Sequence, residues 1–149
     1  MKFRIVNVGK IKDECLKRSI EGYIEKISYD AKIEVHEIKD SDKKTEGEKI
    51  VEYLEKLKDN HFIFALTEEG NSFSSVEFSK KIKTLSVDGF EIIFIIGGPF
   101  GLSDAAKKES NALLSLSDMT YTHEMCYLFL AEQIYRAVSI INGKNYHKG

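Results

Sequence analysis

At 149 residues the chain is long enough for one domain with a substantial core and too short for two ordinary ones. Hydrophobic residues make up 42% and charged residues 31%, which excludes a disordered chain. Against 24 acidic residues stand 22 basic ones, a formal charge of −2, so no global positive field draws in nucleic acid.

Any RNA contact is therefore local. Two basic stretches qualify: Lys10, Lys12, Lys17 and Arg18, and the segment from residue 125 on, where Arg136, Lys144 and Lys148 face Glu132 as the sole acid. A solvated helix end is the plain alternative for each. Cys15 and Cys126 are far apart and lack CxxC spacing, so neither a disulfide framework nor structural zinc is indicated. No signal peptide and no membrane-length apolar run is recognisable, which makes a cytoplasmic protein the expectation.

In chain order, Phe3, Ile5, Val6 and Val8 predict a first strand ended by Gly9. Leu16, Ile20, Tyr23, Ile24 and Ile27 then recur at helical spacing over about residues 13–28, with Asp13 as N-cap. Ile33 and Val35 mark a second strand, and 39–44 a loop. Thr45 and Glu48 have capping-box spacing before the stripe Ile50, Val51, Leu54 and Leu57. Residues 61–66 read as a third strand giving way to a polar loop over 67–71. Ser74 and Glu77 form a second capping box, opening a helix to about Leu85 on Val76, Phe78, Ile82 and Leu85. Residues 91–96 form a fourth, wholly apolar strand apart from Glu91, Ser103 caps a short helix, and 112–116 are a fifth strand. A last helix runs from about His123 to Ile141 on Cys126, Phe129, Ile134, Val138 and Ile141, with Gly143 as its stop.

Alternating strands and helices predict one parallel α/β sheet over residues 1–149. The last helix carries apolar residues beyond its main stripe, namely Met125, Tyr127, Leu128, Leu130, Tyr135 and Ile140, as for a helix shared between its own sheet and a second copy. A homodimer is expected. Between the fourth strand and the short helix stands Gly97-Gly98-Pro99-Phe100-Gly101, with the chain's only proline. Such punctuation at the carboxyl end of a strand suits a ligand loop whose main chain does the binding, and equally a tight connection.

Three ordered segments resemble the RlmH (YbeA-type) ribosomal RNA large-subunit methyltransferases of the SPOUT class: Phe94-Ile95-Ile96-Gly97-Gly98-Pro99, Ala131-Glu132-Gln133-Ile134-Tyr135-Arg136-Ala137, and Tyr146-His147-Lys148. The opening Val8-Gly9-Lys10 agrees, and the likeness spans almost the whole chain. The resemblance implies a SPOUT-type parallel sheet flanked by helices with a C-terminal trefoil knot, a rare exception to unknotted connectivity. It further implies methyl transfer from S-adenosylmethionine, without a metal, to N3 of a pseudouridine in 23S ribosomal RNA of the assembled 70S ribosome.

Carried over by position, the cofactor site comprises Leu66, Gly97, Gly98 and the run Leu116, Ser117, Asp118, Met119, Thr120 and Tyr121. Main-chain donors and acceptors there suit an adenine edge, and Leu66, Leu116 and Met119 supply apolar walls. The catalytic set implied is His147, Tyr146, Lys148 and Arg136. The imidazole of His147 suits a proton acceptor, Tyr146 suits stacking on a base, and the two cations suit phosphate or a nucleobase anion. A lone histidine in a tail is otherwise simply solvated, and His123 caps or shapes the pocket as readily as it reacts.

Phe100 stands where relatives often have a polar or acidic residue, Thr122 where proline is common, and Gly149 in place of a charged ending. The competing readings are a ribosome-binding protein without catalysis, and a SPOUT enzyme acting on transfer RNA or another ribosomal nucleotide. Neither GxGxxG nor GxxxxGK[ST] is present for a generic nucleotide-binding protein.

Overall fold

In the computed structural model, residues 1–57 and 60–148 are described, so Gly149 lies outside them. Strands β1 (Lys2–Val8), β2 (Lys32–Ile38), β3 (His61–Ser72), β4 (Glu91–Ile96) and β5 (Ala112–Ser115) form one sheet in the order β2-β1-β4-β3-β5. Every pairing is parallel. Parallel neighbours need crossovers, which α1 (Glu14–Ser28), α2 (Lys43–Glu55), α3 (Ser75–Val87) and α4 (Asp104–Lys108) supply before α5 (His123–Ile141) closes the chain.

The two sheet faces follow from alternation along the strands. Phe3, Ile5, Phe64, Ile92 and Phe94 point to one side, where Ile20 and Ile27 of α1, Ile82 and Leu85 of α3, and Leu130, Ile134 and Val138 of α5 cover them. Val6, Val8, Ile63, Ile93 and Ile95 point to the other, under Ile50 and Leu54 of α2 and Ala106 of α4. All six residues of central β4 are buried, which is why its run is apolar without alternation.

Asp13, Ser74 and Ser103 cap their helices as expected, with the Ser74–Glu77 box closed in both directions at 3.2 and 2.8 Å. Four expectations change. Helix α2 starts earlier: Asp42 is its N-cap, accepting from the Thr45 N–H at 2.9 Å and the Thr45 hydroxyl at 2.6 Å, so the Thr45–Glu48 box does not form. A carboxylate suits the positive end of a helix better than a hydroxyl.

Strand β3 continues past Leu66 through the polar 67–71 stretch, bulges, and rejoins β5 at Asn71↔Leu114 and Ser72↔Ser115. A Cβ on Gly70 would come within 2.6 Å of the β5 main chain, so this close approach needs glycine. The buried stripe of α5 is Tyr127, Leu130, Ala131, Ile134, Ala137 and Val138, whereas Cys126, Phe129 and Ile141 are half-buried. A helix that is apolar all round leaves its inward side undecided in sequence. Val76 is exposed, not core.

Candidate functional site

At the carboxyl edge of the sheet, three chain segments and a helix start surround a cavity of about 1010 Å³. The end of β3 contributes Leu66–Glu69, the turn after β4 contributes Gly97–Leu102, the segment after β5 contributes Leu116, Ser117 and Met119–Tyr121, and α5 contributes His123, Glu124 and Cys126. Parallel strands all end on this edge, so their following loops converge here.

The glycine turn is rigid for reasons internal to the protein. The Gly101 N–H donates to the Gly98 carbonyl at 2.9 Å, closing a four-residue turn with Pro99 at its second position. Phe100 keeps negative φ, and Gly101 then takes φ +74° to re-enter the chain. A Cβ on Gly97 would stand 2.7 Å from the Gly101 carbonyl carbon and 2.8 Å from the Leu102 nitrogen. On Gly98 it would meet Val8 at 3.2 Å and the buried Glu46 carboxylate at 3.3 Å. Packing against the protein itself thus requires glycine at 97 and crowds a side chain at 98, whereas the sequence suggested access for a ligand. Their main chain lines the cavity all the same.

The remaining walls are mixed. Leu66, Ile96, Leu114, Leu116 and Met119 are apolar, and Lys43, Glu68, Glu69, Lys107 and Glu124 bring charge to the lining. Lys107 pairs with Glu69, and that hydrogen bond holds the Glu69 carboxyl below its usual range. Burial pushes the Cys126 thiol up. The Lys12 N–H donates to Glu124, which brings the amino-terminal basic stretch beside the cavity. Asp118 is exposed and does not line the cavity, and Phe100 is 73% exposed on its lip.

The residues of the tail motif gather elsewhere. Gly143, at φ +67°, ends α5, the Lys144 N–H returns to the Ser139 carbonyl at 2.9 Å, and Lys144 pairs with Asp30 at 2.5 Å. These contacts fold the tail back along α5 and α1. Glu132 Oε1 accepts from Arg136 Nε at 3.0 Å, from Arg136 Nη2 at 2.5 Å and from the Tyr146 hydroxyl at 3.1 Å. Arg136 Nη1 lies 3.2 Å from His147 Nδ1. The Tyr146 ring packs edge-on to Tyr135, and its hydroxyl is 3.4 Å from that of Tyr23.

Burial, then the bonds to Tyr23 and Glu132, push the Tyr146 hydroxyl well above its ordinary range, so it is a neutral donor at physiological pH. The bond to Glu132 raises Arg136 further. Lys148 is exposed at the end of the cluster. Glu132 and Tyr23 were not foreseen as site residues. The Glu132–Arg136 spacing of four was visible, but the return of the tail onto it was not.

None of Arg136, Tyr146, His147 and Lys148 lines the cavity. His123 does, and Arg136 lies thirteen residues farther along α5, roughly 20 Å at the helical rise. Helix α5 therefore carries both the cavity wall and the tail cluster within a single chain.

Residues 1–147 match a family model described as "Predicted SPOUT methyltransferase". The chain belongs to the SPOUT methyltransferase family. Among its relatives, a protein of Natranaerobius thermophilus named "Ribosomal RNA large subunit methyltransferase H" is 42% identical, with 99% of each chain covered. One of the same name from Enterococcus faecalis is 39% identical, covering 99% of this chain and all of its own length. Among solved structures, a "probable methylase family protein" from Haemophilus influenzae Rd KW20 superposes with a TM-score of 0.59 at 13% identity, over 97% of this chain and 67% of that one. That likeness is one of fold alone. The fold is thus shared with a protein of little sequence similarity.

Proposed function

We propose that this protein methylates ribosomal RNA of the large subunit: it transfers the methyl group of S-adenosylmethionine to N3 of a pseudouridine in the 23S RNA of the assembled 70S ribosome. The observation that carries the reading is end-to-end similarity to large-subunit methyltransferases H, and the resemblance of the glycine turn and the Tyr-His-Lys tail to that family agrees with it. A cytoplasmic setting follows from that substrate. Among the described residues no helix is long and apolar enough to cross a membrane.

The cavity fits the donor chemically. Leu66, Leu116 and Met119 offer apolar walls for an adenine, and the main chain at Gly97, Gly98, 116–117 and 119–121 offers the polar edge that such a base needs. Lys43, Lys107 and the carboxylates beside them suit the charged methionine end. When bound, the donor supplies an electrophilic methyl on a cationic sulfur. The chain's part is alignment, which contributes up to roughly 7–11 kcal/mol in ideal cases, because encounter entropy is lost before the reaction. Arg136 and Lys148 attract phosphate or a developing nucleobase anion, and Tyr146 and His147 face the base.

That the tail cluster lies along α5, outside the cavity of its own chain, supports a homodimer in which each tail serves the partner's cavity. The half-buried side of α5, with Met125, Leu128, Phe129 and Ile140, supplies an apolar surface for it. The C-terminal trefoil knot belongs to the same reading, supported by family membership and by α5 packing back between α1 and α3 after β5.

Incubating the protein with radiolabelled S-adenosylmethionine and 70S ribosomes, isolated subunits or transfer RNA, then mapping the label, tests the assignment. Label confined to a large-subunit pseudouridine supports it. Donor binding without transfer to any RNA establishes the noncatalytic ribosome-binding reading instead. Mixed dimers, one chain defective in the cavity and the other in the tail, should recover activity above either parent, and no recovery counts against sharing across subunits.

A further inference from the structure

We infer that Glu132 is a positioning residue that, through Arg136, fixes His147 with Nδ1 as acceptor and the proton on Nε2, so that the tail offers its RNA a hydrogen-bond donor and not a base. The inference rests on the proposed function and revises the proton-acceptor role that the tail motif suggests for His147.

A guanidinium has five N–H donors, no acceptor, and stays protonated in proteins. With Arg136 Nη1 at 3.2 Å, His147 Nδ1 must present its lone pair. A neutral imidazole carries one ring proton, which then resides on Nε2. The ring held in this way has no spare lone pair: one nitrogen is engaged by Arg136 and the other is protonated.

Glu132 decides which edge of the guanidinium is left over. Its Oε1 takes Nε and Nη2 together, and the Tyr146 hydroxyl as well, leaving Nη1 as the edge that meets His147. Glu132 Oε2 is held in turn by Gln133 Nε2 at 2.7 Å. The groups facing this assembly are Tyr23 and Lys26 of α1 and Tyr135 of α5, with Lys26 resting over the Tyr23 and Tyr135 rings.

The chemistry suits a donor. Loss of the N3 proton to water leaves charge on N3 and on the flanking carbonyl oxygens of the base. The N3 lone pair then bonds to the methyl carbon while the carbon–sulfur electron pair returns to sulfur. A fixed N–H aimed at a carbonyl oxygen stabilises that anion and leaves N3 free to attack.

Two measurements decide the matter. Nitrogen-15 spectra of histidine-labelled protein, with His147 assigned by its loss in His147→Gln, should show the Nε2–H tautomer in the parent and a tautomer mixture in Glu132→Gln. A parent resonance pattern of the Nδ1–H form, or one unchanged in Glu132→Gln, overturns the inference. If Glu132→Gln fails to fold, Arg136→Gln serves the same comparison. In transfer assays His147→Gln, which keeps a donor but no base, should retain most activity, while His147→Ala loses roughly 10–100-fold. Equal losses in both overturn the donor role. A parent that methylates no RNA refutes the proposed function, yet the nitrogen spectra still report the tautomer, so the two failures are distinguishable.

Discussion

The cavity and the tail cluster are built by opposite means. The glycine turn and the segment after β5 present peptide groups held by a closed turn, so their chemistry depends little on which side chains they carry. The tail cluster is all side chain, with one carboxylate gathering an arginine and a tyrosine and the arginine orienting a histidine. The first should tolerate side-chain change and resist backbone change, and the second should behave in reverse.

The sharpest way to break that contrast is Gly97→Ala. The new methyl would lie 2.7 Å from main-chain atoms that have no room to yield, so the turn must shift. We expect calorimetry to detect no donor binding and chemical denaturation to show a loss of about 1–3 kcal/mol. Parental affinity would mean that the turn is not the grip. Gly98→Ala, whose methyl meets only side chains at 3.2–3.4 Å, should cost visibly less.

Arg136→Ala is the complementary experiment. Transfer should fall about 10–100-fold, the worth of one or two charge-assisted hydrogen bonds, while donor affinity stays within about twofold. A parallel loss of donor binding would merge the two regions into one. Phe100→Ala, on the exposed lip, should leave folding stability within about 0.5 kcal/mol and donor affinity unchanged, since its side chain packs on little of the turn.

The smallest effect lies away from both regions and guards against misreading pH profiles. His36 stacks on Tyr53 at 3.8 Å, and burial, then the Arg4 charge, holds it below its ordinary titration range. The unfolded chain therefore binds the proton more readily than the folded one, so stability rises with pH. This contribution is complete above about pH 6.5 and is lost as the pH falls below that value through the lower folded-state range. Thermal melting should show a small decline on acidification that shrinks in His36→Gln. An identical decline in both would assign the acid sensitivity to another group.

Much of this was legible in the residues, for reasons that differ by element. Caps at Asp13, Ser74 and Ser103 are local chemistry, and β4 is a run that only a doubly covered strand explains. The extension of β3 was hidden, because its polar 67–72 segment becomes a strand only by pairing with β5, more than forty residues away. In α5 the buried side was ambiguous since apolar residues surround the helix. The glycine punctuation and family motifs named many of the loop residues that line the cavity, but also Asp118, which does not, and they missed Lys43, Glu69 and Lys107. The pairing of Glu132 with Arg136 could be read from their spacing, but its bond to Tyr146 could not, because that partner arrives from a tail with no periodicity to read.

Helix α5 also acts as a ruler. It begins on the cavity wall and ends beneath the tail cluster, so its residue count sets both the span and the angular phase between them. Inserting one residue near its middle would advance the distal half by about 1.5 Å and turn it by about 100°, aiming Arg136 and the tail in a new direction.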